Sequence, residues 1–285
     1  MAVSTQIATY FEGRWHEGNV PVIRAGDHAA WLGSGVFDGA RQFEGVRPDL
    51  DLHSARLIRS AEAMGMIAPV DGETIQGLLE EGCKMFAPEA ELYLRPMMWA
   101  TESTPGVIDL VPDSTGWALC IEAMPMPQPG AFTLTVSPYV RPRPDMALTE
   151  AKAASLYANN GRIMADARKR GFSNALSRDV EGNVAETAST NVFMLRDGVV
   201  FTPVPNGMFL NGLTRQRVIG LMRADGIEVV ECALRIEDFH EADEIFVTGN
   251  IAKVMPVAAF EEKRFAQTPV GDRVRRLYWD WAHSA

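Results

Sequence analysis

Apolar positions recur along the chain at two spacings, and the spacing decides the element. In HSARLIRSAEAMGM (53–66) Leu57, Ala61 and Met64 stand at helical intervals, so a helix is predicted there. ETIQGLLEEGCKMF (73–86) predicts a second helix, ELYLRPMMWA (91–100) a strand, and ATYFEGRWH a hairpin strand near the start. Further on, TLTVSPYV (133–140) reads as a strand and residues 154–171 as a helix stopped by Gly171. Residues 173–203 read as strand runs parted by the turns DVEGN and RDG. A helix over 213–226 ends on Gly226, and strands are expected at 227–234 and 243–250. The glycine-rich GSGVFDG (33–39) predicts a turn with close backbone approach. Helices and hairpins mix without regular βαβ alternation, so the expected class is α+β and not a doubly wound sheet.

MPMPQPGAF (124–132) breaks the apolar pattern after GWALCIEA (116–123) and predicts an interdomain linker between domains over 1–123 and 133–285. A chain of 285 residues suffices for two cores, and 47% hydrophobic with 22% charged residues is an ordinary globular balance. The net charge of -10, with only short basic pieces (ARKRG, DRVRRLYW) that read as solvated helix faces, argues against a nucleic-acid partner. Cys83, Cys120 and Cys232 are odd in number and widely spaced, which argues against a disulfide framework or structural zinc site and suits a reducing cytoplasm. With no secretory pattern at its start and no apolar run of membrane-spanning length, a soluble cytoplasmic protein is expected.

The chain has no G-x-S-x-G, H-E-x-x-H or Walker A motif, and its histidines, His16, His28, His53, His240 and His283, are scattered. Chemistry rests on other residues. Of five lysines, Lys152 in LTEAKAASLYANNG is the one without an obvious surface role. It either snorkels from a helix start or forms an imine in a non-polar setting. Glu186, inside the apolar GNVAETASTNVF, requires a cationic partner, either an arginine or a protonated pyridine nitrogen. NGLTRQRV (211–218) is either a simple capped helix start or an anion site built from the N–H groups of Leu213 and Thr214 and the Thr214 hydroxyl. Arg56 is either a surface residue or the anion's bidentate partner.

Taken in order, HAAWLGSGVFDGARQFEG, LHSARLIRSA, YLRP, AKAASLY, AETASTNVF, FLNGLTR and DEIFVTGNIAKVMPV resemble the class IV aminotransferases, the fold-type IV pyridoxal 5'-phosphate (PLP) enzymes. The likeness is greatest to the branched-chain amino acid group. It implies a small N-terminal α/β domain, a larger C-terminal domain with barrel-like β-structure, the cofactor at their interface, and a homodimer. It implies a Schiff base at Lys152, which also shuttles the proton between the substrate α-carbon and cofactor C4′. Tyr157 would bond the cofactor O3′ and Glu186 its pyridine nitrogen. Arg56, Leu213 and Thr214 would hold the phosphate, with Asn250 at a further phosphate position. Backbone N–H groups from Gly249 to Ile251 would face the substrate carboxylate. Phe37, Gly39, Tyr93 and Arg95 would shape the substrate pocket, Tyr93 orienting the α-carboxylate and Arg95 meeting the distal carboxylate of glutamate or 2-oxoglutarate.

Several positions depart from that family's pattern. Ala153, Ala154 and Ser155 stand where glycines commonly follow the lysine, Leu32 replaces a pocket tyrosine, Asn250 a threonine, and Thr190 an acidic residue, while the linker is short. The expected activity is ping-pong transfer of the amino group of a branched-chain L-amino acid to 2-oxoglutarate. The alternatives on the same fold are a D-amino acid or (R)-amine transaminase, a 4-amino-4-deoxychorismate lyase, and a non-catalytic relative.

Overall fold

The computed structural model of the chain describes residues 6–284. Two compact units are present. One holds the residues up to Met126 together with Ala151–Leu156; the other holds Pro127–Glu150 and the chain from Tyr157 onward. Lys152 therefore belongs to the first unit, within a short return of the chain that its linear order does not announce.

The first unit runs β1 (Ile7–Phe11), β2 (Arg14–Glu17), α1 (His28–Leu32), β3 (Gly35–Phe37), β4 (Ala40–Gln42), α2 (Leu50–Ala63), α3 (Gly72–Cys83), β5 (Leu92–Ala100) and β6 (Thr115–Ala123). Its strands form an antiparallel sheet in the order β2-β1-β6-β5-β3, with β4 also on β5. The expected first hairpin is β1–β2, turned by Glu12 and Gly13, both at positive φ as a tight two-residue loop demands.

Alternation along β5 divides its side chains between two faces. Leu92, Leu94 and Met98 join Leu57 and Ala61 of α2 and Ile75 and Leu79 of α3 in one buried cluster. Each such buried aliphatic side chain contributes about 1.5–3 kcal/mol. Tyr93, Arg95, Met97 and Trp99 lie on the other face, opposite Glu122, Cys120, Ala118 and Gly116 of β6. A Cβ at Gly116 would stand 2.7 Å from the Trp99 ring, so glycine there makes room for the indole.

Two expectations shift in this unit. GSGVFDG holds a short strand at its centre: Gly33, left-handed at φ 72, ends α1, β3 pairs with β5 from Gly35↔Trp99 to Phe37↔Met97, and the close approach expected of its glycines occurs at Gly39, beside Tyr93. The two side chains of Val36 and Phe37 between glycines carry too little local signal, and pairing with β5 decides the conformation. The helix expected over 53–66 is α2, Leu50–Ala63: Asp49 at φ 58 starts it and Gly65 at φ 86 reverses the chain behind it.

The second unit runs β7 (Thr133–Val140), α4 (Ala154–Lys169, its first turn counted with the first unit), β8 (Asn174–Arg178), β9 (Val184–Thr187), β10 (Asn191–Arg196), β11 (Val199–Pro203), α5 (Leu213–Ala224), β12 (Val229–Cys232), α6 (Ile236–Glu241), β13 (Glu244–Gly249), β14 (Lys253–Pro256), β15 (Ala259–Phe260), β16 (Lys263–Arg264) and α7 (Pro269–Ser284). Among the described residues these strands make two mixed five-stranded sheets, β12-β11-β10-β13-β14 and β16-β15-β7-β8-β9, and β9 lies against β10. Leu134, Leu176, Val192, Val247 and Phe260 fill the core that the two sheets share. Helix α5 packs on β13, and α7 on β14 and α5. The basic piece DRVRRLYW lies in α7, which buries Val274, Tyr278 and Ala282 at intervals of four and leaves Arg273 and Arg276 exposed. Among the described residues no helix is long and apolar enough to cross a membrane, and no cluster of His, Cys, Asp and Glu suits a metal ion.

Candidate active site

The candidate residues fall into two groups, one in each unit. In the first unit, Phe37, Tyr93 and Arg95 line a cavity of about 420 Å³ whose other walls are mostly apolar, among them Met97, Trp99 and Ala154. Among the described residues Arg95 is the one charged side chain in that wall. Its Nη2 lies 3.5 Å from Glu122 Oε2 and 3.4 Å from Cys120 Sγ, and its guanidinium stands 5.4 Å from the centre of the Tyr93 ring. Gly39 explains how Tyr93 fits, since a Cβ at that position would come within 2.5 Å of the tyrosine Oη. Ala29 and Gly33 line the cavity on either side of Leu32, whose own side chain is exposed and absent from the wall.

Lys152 is fixed to the cavity wall by its backbone. Its N–H donates to Ser60 Oγ (3.2 Å), its carbonyl accepts from Phe37 N (3.1 Å), and Ala153 bridges to Val36. The half-buried side chain places Nζ 4.6 Å from the centre of the Phe37 ring, a cation–π distance.

Arg56 is a buried residue, held by a fully buried acid that sequence reading passed over. Asp38 Oδ2 accepts from Arg56 Nε at 2.6 Å, and Oδ1 from Arg56 Nη2 at 2.8 Å and from His53 Nδ1 at 2.7 Å. Burial alone would raise the Asp38 pKa, but the Arg56 guanidinium and the His53 ring hold the carboxyl far below the usual carboxylate range. Arg41, cross-strand to Tyr93, is also wholly buried, and desolvation lowers its guanidinium to about 10. Its Nη2 donates to Met124 O at 2.6 Å and Nε reaches Met126 Sδ at 3.1 Å, so the proline-rich segment is tied to this sheet.

In the second unit Glu186 sits on β9 and is 8% exposed. Its carboxylate meets the arginine that one reading required: Arg141 Nη1 lies 3.1 Å from Oε1. That guanidinium also donates to Asn160 Oδ1 (3.2 Å) and, through Nε, to Met208 O (2.9 Å). Tyr157 lies half-buried in α4. Asn191 connects the acid to the next group: its Nδ2 reaches Glu186 Oε2 at 3.4 Å and its Oδ1 accepts from Gly212 N at 3.2 Å. A Cβ at Gly212 would collide with that Oδ1, so the residue before α5 must be glycine.

Leu213 and Thr214 open α5, and Thr214 is buried. The helix has no side-chain N-cap bond and no acid in its first turn, which leaves its positive end available to an anion. Gly249 ends β13, which packs on α5, and Asn250 and exposed Ile251 begin the turn that follows. Thr248 Oγ1 and Asn250 Nδ2 are buried without a hydrogen-bond partner.

The lysine comparison needs correcting. Lys253 is 1% exposed and so more deeply buried than Lys152; its Nζ donates to Asn250 Oδ1 at 2.8 Å. Its place in the apolar NIAKVMPV was the available signal. Asp38, Arg141 and Asn191 had no comparable signal, because their partners lie 15 to 45 positions away or depend on strand register.

Comparisons with known proteins agree along most of the chain. A family model described as amino-transferase class IV matches residues 35–260. The branched-chain-amino-acid aminotransferase of Escherichia coli is 28% identical over 275 residues, 93% of this chain and 87% of that protein. The crystal structure of an aminotransferase from Brucella abortus bound to the co-factor PLP is 52% identical with a TM-score of 0.96, covering 98% of this chain and 99% of that one. The branched-chain aminotransferase of Thermoproteus uzoniensis, solved with norvaline, superposes with a TM-score of 0.89 at 25% identity over 97% of this chain and 95% of that one.

Proposed function

The chain belongs to the class IV aminotransferases as a PLP-dependent, branched-chain-aminotransferase-like enzyme, and we propose that it moves the amino group of a branched-chain L-amino acid to 2-oxoglutarate in two half-reactions. The observation that carries the substrate reading is the cavity of about 420 Å³, apolar except for the guanidinium of Arg95 and the phenol of Tyr93. Its apolar wall suits a leucine-type side chain, and Arg95 suits the distal carboxylate of the dicarboxylic partner.

The residues present fit the cofactor. The open end of α5 and the two buried, unmatched polar atoms at Thr248 and Asn250 suit a phosphate, and the buried Glu186 carboxylate suits a protonated ring nitrogen. When bound, PLP supplies the carbonyl that takes up the amino group and a ring that accepts the electron pair left on the substrate α-carbon.

The protein's residues take the following roles in this reading. Lys152 Nζ would hold the cofactor covalently, and its amine, once freed, would move the proton to and from the substrate α-carbon. Glu186 would keep the ring nitrogen protonated; the Arg141 guanidinium at 3.1 Å offsets the cost of burying that carboxylate. Tyr157 would donate to the ring oxygen, and Arg56, Leu213, Thr214 and Asn250 would bind the phosphate. Tyr93, Phe37 and the N–H groups of Gly249 to Ile251 orient the substrate, with Gly39 leaving space for the tyrosine.

Single-turnover spectra of the loaded enzyme test this. L-leucine and L-glutamate are each expected to convert the bound cofactor to its amino form, and Lys152→Ala to abolish that conversion. If only D-alanine or a chiral amine converts it, the branched-chain reading fails. A Lys152→Ala variant that still turns over would remove the lysine from its role.

A further inference from the structure

Lys253 is a costly residue whose cost the functions above do not explain. It is 1% exposed, and burying an ammonium is unfavourable by several kcal/mol before its partners are counted. Its backbone is left-handed as well, at φ 58. The other non-glycine residues at positive φ among those described are Glu12, Glu44, Asp49, Asp197 and Glu261, all acidic and none of them fully buried. A left-handed lysine costs a further ~1–2 kcal/mol. Lys253 pairs with Gly249 where β14 leaves the Asn250–Ala252 turn, and from there its Nζ donates to Asn250 Oδ1 at 2.8 Å.

That bond decides which way the Asn250 amide faces. An ammonium only donates, so the amide oxygen must be the atom toward it and the NH₂ group must face the other way. This Nδ2 is buried and has no acceptor within the chain. Thr248, two residues back near the end of β13, has a buried hydroxyl that is likewise unmatched. Buried polar groups left without partners are costly, so an acceptor from outside the chain belongs here.

The surroundings favour an anion. Thr248 pairs across the sheet with Asn191, whose Oδ1 holds the N–H of Gly212 at the start of α5, and α5 packs on β13. Resting on the phosphate site of the proposed function, we infer that Lys253 is a positioning residue for that site: it holds Asn250 by its oxygen so that the amide NH₂ is presented to a phosphate oxygen. A threonine at position 250 needs no such help, since its hydroxyl can rotate to donate. An asparagine has one face that donates and one that accepts, and something must choose between them.

The test uses cofactor-free protein titrated with PLP and with pyridoxal, which has the same ring without the phosphate, and reads the ratio of the two affinities. Lys253→Met is expected to lower the preference for PLP roughly tenfold or more, the scale of one hydrogen bond to a charged group, and to leave pyridoxal binding unchanged. Asn250→Asp keeps the contact to Lys253 and so preserves any structural role of the pair, but it replaces a donor with a negative acceptor. It is expected to lose more of the preference than Lys253→Met, with an unfolding midpoint no lower than that of the parent. The inference is overturned if both variants keep the PLP-to-pyridoxal ratio within about twofold, or if they lose both ligands in parallel. A parent protein with no preference for PLP over pyridoxal overturns the phosphate site itself, so the two failures are distinguishable.

Discussion

Asp38→Asn is a near-isosteric change at a wholly enclosed charge of the first unit. The parent carboxylate is 0% exposed and accepts from Arg56 Nε, Arg56 Nη2 and His53 Nδ1 at 2.6, 2.8 and 2.7 Å. The amide keeps the volume but removes the charge, and it puts an NH₂ group where at least one donor already points. Arg56, itself 9% exposed, then keeps a cation that lacks its bidentate partner. Breaking a buried pair by removing one member costs about 3–5 kcal/mol, a large share of the 5–15 kcal/mol that holds a typical domain folded. Urea unfolding of the cofactor-free protein should show that loss as a fall in midpoint at unchanged slope. A loss below about 1 kcal/mol would refute the claim that this cluster is held by a desolvated charge pair. Should Asp38→Asn not fold, Arg56→Lys still tests the argument: it keeps the charge, gives up the fork, and should cost less stability.

The same cluster predicts a pH response. The Asp38 pKa is lowered in the folded chain relative to its ordinary value of 3.8. Its contribution to stability is therefore fully present above that ordinary value, and is lost as pH falls below it, where the unfolded chain takes up a proton that the folded chain refuses. The Asp38→Asn variant lacks this contribution, so the difference in stability from the parent should shrink between about pH 4 and pH 2. A difference that stays constant over that window would show that the carboxyl is not held ionised by Arg56 and His53.

Two substrate-side changes complete the set. Glu122→Gln removes the carboxylate 3.5 Å from Arg95, a partly exposed pair worth about 0.2–1 kcal/mol, so the KM for 2-oxoglutarate should fall by no more than about fivefold while that for leucine holds. Equal changes in both constants would show that Glu122 does not compete for the guanidinium. Gly39→Ala introduces a Cβ 2.5 Å from Tyr93 Oη, and the overpacking should cost about 1–3 kcal/mol in thermal unfolding and raise the KM of both amino acids. A variant with parental stability and KM would mean that Tyr93 moves aside without consequence.

How far the sequence could be read depends on the range of each interaction. β5 was legible because alternation is local: Leu92 and Leu94 pack with the helices, Tyr93, Arg95, Met97 and Trp99 line the cavity, and Met98 belongs to both groups. β3 was not, because its strand character comes from pairing with β5 some sixty positions away. Among the site residues, Lys152, Glu186 and Thr214 carried chemistry in their own segments, and resemblance supplied an order for them. Arg56 could be named, but its confinement by Asp38 could not, since it rests on two elements meeting.

Lys253 shows how a correct physical rule can be stopped too soon. The cost of burying a lysine singled out Lys152, yet the same cost applied to NIAKVMPV would have marked a second candidate, and the structure makes it the more deeply buried of the two. The two lysines occupy different local structures for reasons that follow from their neighbours. Lys152 stands beside Ala153 and Ala154 in a segment fixed through its backbone to β3 and Ser60, and its half-buried amine lies 4.6 Å from the centre of the Phe37 ring. Lys253 is enclosed at the end of a tight turn and bonded through Nζ to Asn250, so its amine is occupied and can act only by orienting what it holds. In the proposed function Lys152 must be able to give up its contacts, whereas the inference for Lys253 requires that lysine to keep the bond to Asn250.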